Sequence, residues 1–402
     1  MRTILIALAA LTTVALLAAM TALAIERSRP LTLPSPTGRF AVGRMIGDWK
    51  DSAQSDSAAP PAAGAHRELL VWIWYPVSST LRSLTEPHEP PELKSSRDAR
   101  RVPFVFRFLT RDPSRVREHS VPNAEVDGDR AFPVLIMRGG ASAPVANYST
   151  LAEDLASHGY VVVGFDAPYR TSLVVFPDGR AVARLPSNNP ELAIGNADSA
   201  RMMNRLLDAW TSDIGFVLDR LTRLNAADAT GRFTGHLDLS RVGVFGHSLG
   251  GIEAAQFCDV DPRCMAAVDI DGAPIGRITR DTLRRPFMFL LSDHRREDDA
   301  ESQAILASIH AMYHRLPVNG RVSLFIEGAN HFTFSDDGAL LKSGLVRLVL
   351  RLAGQLHIDG RRQLAVTAYC LRTFFDEFLR GAAATPAAIA STAYPEIQGF
   401  ER

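Results

Sequence analysis

The sequence predicts an α/β fold with a mostly parallel central sheet and helices on both of its faces. Three observations carry that expectation. Strand-like and helix-like segments alternate from residue 133 onward, a strand at 242–245 runs through a glycine-rich turn directly into a helix, and 402 residues, 46% of them hydrophobic, suffice for one large α/β domain with terminal extensions. Forty-four Lys and Arg balance 44 Asp and Glu, so no charge excess argues for nucleic acid as a partner, and the oligomeric state is left open.

In chain order, Arg2 precedes an uncharged run at 3–25 rich in Leu, Ala, Ile and Val, which reads as an export signal. Ala22-Leu23-Ala24 offers a small-x-small cleavage site, yet the run is long enough to span a bilayer uncut, so a signal peptide and a membrane anchor are both open. Residues 26–66 are rich in Pro, Ser, Ala and Gly and read as an extended, flexible linker. The main domain is expected over 67–381, with an irregular insertion at 77–131 that holds one aromatic-rich piece, 102–109, read as a surface helix; 382–402 reads as a tail.

Within that domain the run Leu-Leu-Val-Trp-Ile-Trp-Tyr after Glu68 predicts a strand, followed by strands at 133–137, 160–165, 241–245, 265–270, 286–291 and 321–326. Helices are predicted at 148–158, 197–224 (bent or broken near its middle), 251–257, 301–315, 344–356 and 361–380. Cys258 and Cys264 lie six positions apart, so an exported chain could join them, while two buried thiols are equally compatible; Cys370 falls in a helix. No Cys and His cluster has zinc spacing.

The chemistry concentrates in Gly246-His247-Ser248-Leu249-Gly250-Gly251, which follows the strand Val242-Gly243-Val244-Phe245 and precedes a helix. That is the setting of a nucleophile elbow, and with it the expectation narrows to the α/β-hydrolase fold. Flanking glycines let strand and helix approach across a turn too sharp for side chains. A serine hydroxyl needs a base, and His331, on the loop after the strand at 321–326, fits best; His294 after the strand at 286–291 is the rival and His357 lies at a helix end. The acid that orients the imidazole is sought between them in the chain: Asp271 ends one strand, Asp269 lies within it, and Asp293 ends the next. Asp271 is preferred, because a strand-end residue can turn toward the histidine. The oxyanion donors expected are the backbone N–H groups of Leu249 and of Ala141, the latter in the glycine-rich Arg138-Gly139-Gly140-Ala141 stretch.

Taken with Leu33-Pro34-Ser35-Pro36-Thr37-Gly38, Arg67-Glu68-Leu69, Trp74-Tyr75-Pro76, Leu155-Ala156-Ser157-His158-Gly159-Tyr160-Val161-Val162, Asp261-Pro262-Arg263-Cys264 leading to Ile270-Asp271-Gly272, and Phe374-Phe375, the chain resembles the plasma-type platelet-activating factor acetylhydrolases and their bacterial relatives over most of 31–381. The resemblance implies a serine carboxylic ester hydrolase with Asp271 as the acid, working without metal or organic cofactor on short or oxidised acyl groups of glycerophospholipids at a lipid surface. Bacterial relatives with similar motifs include carboxylesterases, lipases and polyester hydrolases. Relatives place Ser-His-Gly or Ser-Pro-Gly where this chain has Arg138-Gly139-Gly140; that arginine either binds a substrate anion or is salt-bridged. A non-catalytic binding protein on the same fold, or an amidase or acyltransferase, are the alternatives.

Overall fold

A computed structural model describes residues 2–81, 85–88, 112–141, 143–190, 199–294, 299–340, 352, 357–382 and 392–399. The predicted helices at 102–109 and 344–356 lie outside, or almost wholly outside, the described residues.

Helix α1 (Arg2–Ser28) comes first, and its stretch Ile6–Ser28 is long and apolar enough to cross a membrane, with none of that stretch buried against the protein. The central sheet then collects ten strands: β1 (Ala41–Ser55), β2 (His66–Val77), β3 (Ser120–Pro122), β4 (Phe132–Arg138), β5 (Val161–Asp166), β6 (Leu237–His247), β7 (Cys264–Ile270), β8 (Phe287–Leu291), β9 (Arg321–Ile326) and β10 (Ile397–Gly399). Their order across the sheet is β10-β9-β8-β7-β6-β4-β5-β2-β1-β3. From β5 to β9 every pairing is parallel, while β2 runs antiparallel to both β1 and β5 and β10 antiparallel to β9.

The parallel strands are apolar on both sides because helices cover both faces. Along β4, Val134 and Ile136 enter one core with helices α3 (Ser199–Ala226), α4 (Leu249–Val260) and α5 (Ala300–Arg315). Leu135 and Met137 enter the other, with α2 (Ser149–Ser157) and α6 (Gly360–Arg380). This is the period-two alternation of a strand read out as two cores.

Three expectations are corrected. Residues 26–66 are not a linker throughout: β1 occupies Ala41–Ser55 and pairs with β2 along nearly its whole length. Its outer half is polar and exposed, which made its composition resemble a loop. The stretch 382–402 is not only a tail, since β10 extends the sheet along β9. Of the bend or break expected near the middle of α3, the break is absent: the helix runs continuously through 28 residues, its apolar stripe buried from Leu206 to Leu221. Cys258 and Cys264 form a disulfide with Cα atoms 5.0 Å apart, tying the end of α4 to the start of β7, and Cys370 is a buried free thiol.

Candidate active site

Parallel strands bring their C-terminal ends to one edge of the sheet, and the candidate residues gather there. Ser248 sits between β6 and α4 with φ 56° and ψ −124°, a left-handed backbone that a serine adopts only under constraint. Its N–H donates to Ile270 O at 2.7 Å, locking the elbow to the end of β7. The close approach that needs glycine is visible at Gly246, where a Cβ would lie 2.3 Å from the backbone of Gly250. Leu249 opens α4, so its N–H is among the unpaired donors at that helix's N-terminus. Ser248 Oγ makes no hydrogen bond to another described residue.

Asp271 follows β7 with φ 57° and is almost fully buried. Its carboxylate accepts three hydrogen bonds: Oδ2 from His331 Nδ1 at 2.8 Å, and Oδ1 from Ser292 N at 2.7 Å and His294 Nε2 at 2.9 Å. Burial alone would raise its pKa; the two histidines outweigh burial and hold it well below the usual carboxylate range.

His331 begins a single helical turn, His331–Phe334, capped by Asn330, whose side chain accepts from Phe332 N. Gln363 of α6 clamps that turn, accepting from Thr333 Oγ1 at 2.5 Å and donating to Asn330 O at 3.0 Å. At its far end Asp336 N–H donates to Asn147 O, and the Asp336 carboxyl accepts from Thr150 N at the start of α2. The turn that carries His331 is thus held at both ends, while the His331 side chain stays partly exposed, at 35%.

The rival acids lie elsewhere. Asp269 Oδ1 accepts from Gly272 N beneath the elbow, and burial, with the Asp271 charge adding to it, raises its pKa well above the ordinary value. Asp293 accepts from Gly328 N with Oδ2 and braces the turn leading to His331. His357 packs against that turn at Gly328.

The loop holding Ala141 lies against the elbow: a Cβ on Gly250 would meet the carbonyls of Gly139 and Arg138, and one on Gly140 would lie 3.5 Å from Ser248 Cβ. Ala141 is half-buried there. Arg138 points the other way; it is buried, paired to Glu253 at 2.6 Å, donates to Phe165 O, and stacks over the Phe165 ring at 4.0 Å. With its charge satisfied inside the fold, it is no anion-binding group.

Comparisons with known proteins agree with this architecture. A family model described as platelet-activating factor acetylhydrolase, isoform II, matches residues 215–380, the span holding the elbow, Asp271 and His331. A probable 1-alkyl-2-acetylglycerophosphocholine esterase of Arthroderma benhamiae is 25% identical over 409 residues, covering 95% of this chain and 97% of its own length. The platelet-activating factor acetylhydrolase of Cavia porcellus is 24% identical over 229 residues, 53% of this chain and 50% of its own. Over these spans the chain is similar to the platelet-activating factor acetylhydrolases. A solved ferulic acid esterase from Streptomyces cinnamoneus superposes with a TM-score of 0.71 at 27% identity, covering 92% of this chain and all of its own. The chain is accordingly a serine ester hydrolase of the α/β-hydrolase fold.

Sequence reasoning missed two features of the acetylhydrolase-like site. His294 is the rival base by sequence, yet it is a second donor to Asp271. Tyr148, read only as the start of a helix, reaches both Gly140 and His247. Neither has a local signal, because His294 meets Asp271 across 23 positions and Tyr148 meets His247 across 99.

Proposed function

We propose that this ester hydrolase works by acyl transfer through Ser248, with His331 as general base and acid and Asp271 as the group that orients and charge-balances the imidazole. The observation that carries the reading is the 2.8 Å bond from His331 Nδ1 to the Asp271 carboxylate, beside a serine held at positive φ. That bond leaves Nε2 of the neutral ring without a proton and able to accept the Ser248 hydroxyl hydrogen. As Oγ attacks the ester carbonyl, a tetrahedral oxyanion develops, with the N–H groups of Leu249 and Ala141 as its donors. His331 then protonates the departing alkoxide, leaving an acyl-serine and free alcohol. Water, deprotonated by His331, attacks the acyl carbon and releases the carboxylic acid, restoring Ser248.

Short acyl esters are the proposed substrates, including acetyl groups on glycerophospholipids, as the names of the two acetylhydrolase-like relatives suggest. The ferulic acid esterase supports a second reading, aromatic acyl esters, and Phe332, 74% exposed beside His331, gives such a ring a surface to meet. The exposed apolar α1 supports export, with α1 either removed or kept as an anchor that holds the enzyme near lipid.

The test is turnover of p-nitrophenyl esters from acetate to palmitate, with methyl ferulate alongside, by the protein and its Ser248→Ala variant. Activity that falls to background in the variant, with acetate preferred, is expected. Full activity in Ser248→Ala would overturn the assignment of the nucleophile, and a preference for methyl ferulate would replace the phospholipid reading with the aromatic one.

A further inference from the structure

The loop beside Ser248 is held from behind by two buried side chains that the mechanism above does not use. Gly140 N–H donates to Tyr148 Oη at 3.0 Å, and the same oxygen lies 2.9 Å from His247 Nδ1. An amide can only donate, so the phenol's own hydrogen is left for the imidazole, and Nδ1 is the acceptor. Tyr148 is 2% and His247 6% exposed. His247 packs among Tyr148, Phe334 and His331, its ring centroid 4.5 Å from that of His331. Burial, and then the charge of His331, pushes the His247 pKa down to about 3, so this ring remains a neutral acceptor wherever His331 works. Burial pushes the Tyr148 phenol up, so it keeps its proton. The three groups converge on one peptide: a Cβ placed on Gly140 would lie 3.4 Å from His247 Nδ1, 3.5 Å from Tyr148 Oη and 3.5 Å from Ser248 Cβ.

We propose that Tyr148 and His247 are a positioning pair, a hydrogen-bonded chain from His247 through Tyr148 to Gly140 N–H that fixes the loop beside Ser248 and presents the next N–H, that of Ala141, to the developing oxyanion. This rests on the reading of Ser248 as nucleophile and Ala141 as donor. The chain assigns Gly140 N–H to the scaffold and so separates the two neighbouring amides by role. It also gives the histidine of the elbow a task distinct from proton transfer: it sets the direction of the Tyr148 hydroxyl. Preorganised donors act where charge develops, so slackening the loop lowers kcat while leaving ground-state binding of the ester in place.

The pair is tested with Tyr148→Phe, which keeps the packed ring and deletes the hydroxyl, and with His247→Leu and His247→Asn. Rates for p-nitrophenyl acetate are expressed per active serine titrated with a fluorophosphonate, so that misfolded protein is not counted. Tyr148→Phe is expected to lower kcat by about tenfold or more with KM within about twofold. Affinity for an alkyl trifluoromethyl ketone, whose serine adduct carries the oxyanion, should weaken by the same factor as kcat/KM. His247→Leu should behave likewise, and His247→Asn, whose Oδ1 can accept where Nδ1 did, should recover most of the loss. Unchanged kcat and ketone affinity in Tyr148→Phe would overturn the proposal, as would a loss that vanishes on titration or that falls on KM alone. The Ser248→Ala variant separates the two levels: if it is inactive while Tyr148→Phe is normal, only the positioning pair falls, and if it is active the reading of the site falls first.

Discussion

Replacing Asp271 by Asn changes one atom's chemistry and no volume, and the structure dictates two ways in which the amide can sit. The carboxylate accepts from Ser292 N, His294 Nε2 and His331 Nδ1. An amide has one accepting oxygen and two N–H donors, so it cannot satisfy all three. With its oxygen kept toward Ser292 and His294, its NH₂ faces His331 Nδ1, and the ring must move its proton to Nε2. An Nε2–H presents a hydrogen to Ser248 where a lone pair is required. With the amide reversed, its NH₂ opposes the Ser292 N–H, leaving buried donors face to face at about 1–3 kcal/mol of stability. The first arrangement is expected to prevail in the folded protein, with a fall in kcat of about 10³- to 10⁴-fold, equivalent to about 4–5.5 kcal/mol. The sign of the pH effect follows from the depressed pKa of Asp271. The carboxylate's contribution to stability is complete above its unfolded value of 3.8 and is lost only as pH falls below it, so the stability gap between wild type and variant closes in acid. The assay pairs steady-state turnover of p-nitrophenyl acetate with denaturant unfolding at pH 7 and pH 3, and includes Asp293→Asn, which should weaken the turn at Gly328 without a comparable drop in kcat. If Asp271→Asn kept kcat within about tenfold while Asp293→Asn lost the larger factor, the acid would be Asp293 and this reasoning would fail.

Two further expectations concern the fold around the site. Asp166, at the end of β5, accepts from Val145 N and is buried, and burial raises its pKa to about 7. A carboxyl raised in this way contributes fully below 3.8 and loses its contribution as pH rises through about 7, so Asp166→Asn should gain on wild type by on the order of 1–4 kcal/mol between pH 4 and pH 8; thermal melts that differ by the same amount at both pH values would contradict it. The Cys258–Cys264 bond closes a loop with a sequence separation of 6, and replacing both residues by Ala should lower the unfolding free energy by about 2 kcal/mol through loop entropy alone. An unchanged urea midpoint would show that the link does not constrain the unfolded chain.

What was legible in the sequence was local. The elbow, the strand before it and the helix after it are contiguous, and the apolar runs of the parallel strands are dictated by burial on both faces, so β4 to β9 and their order of helices could be read directly. β1 could not, because a strand with half its length in solvent carries a polar composition, and its pairing with β2 and β3 makes it a strand. β10 is three residues long and owes its existence to β9, some 70 residues earlier, so nothing nearby announces it. Arg138 could not be decided either, since its partners Glu253 and Phe165 come from α4 and β5. The same reason hid His294 and Tyr148: each is defined by a hydrogen bond across the fold.

The choice between Asp269 and Asp271 shows where pattern reasoning stops and backbone geometry takes over. Strict alternation puts both on one face of β7, and on that ground neither is better placed. Asp271, however, leaves the strand at φ 57°, and this single left-handed residue turns its carboxylate toward His331 and His294, while Asp269 stays in the ladder and points beneath the elbow to Gly272 N. Asp tolerates that conformation better than most residues, yet it still stores strain, as Ser248 does at φ 56° just past the end of the neighbouring strand. The two strained residues are joined through Ser248 N and Ile270 O, immediately before Asp271. A change that relaxed either backbone would therefore move the other, and the nucleophile and the acid are held as one constrained unit rather than two.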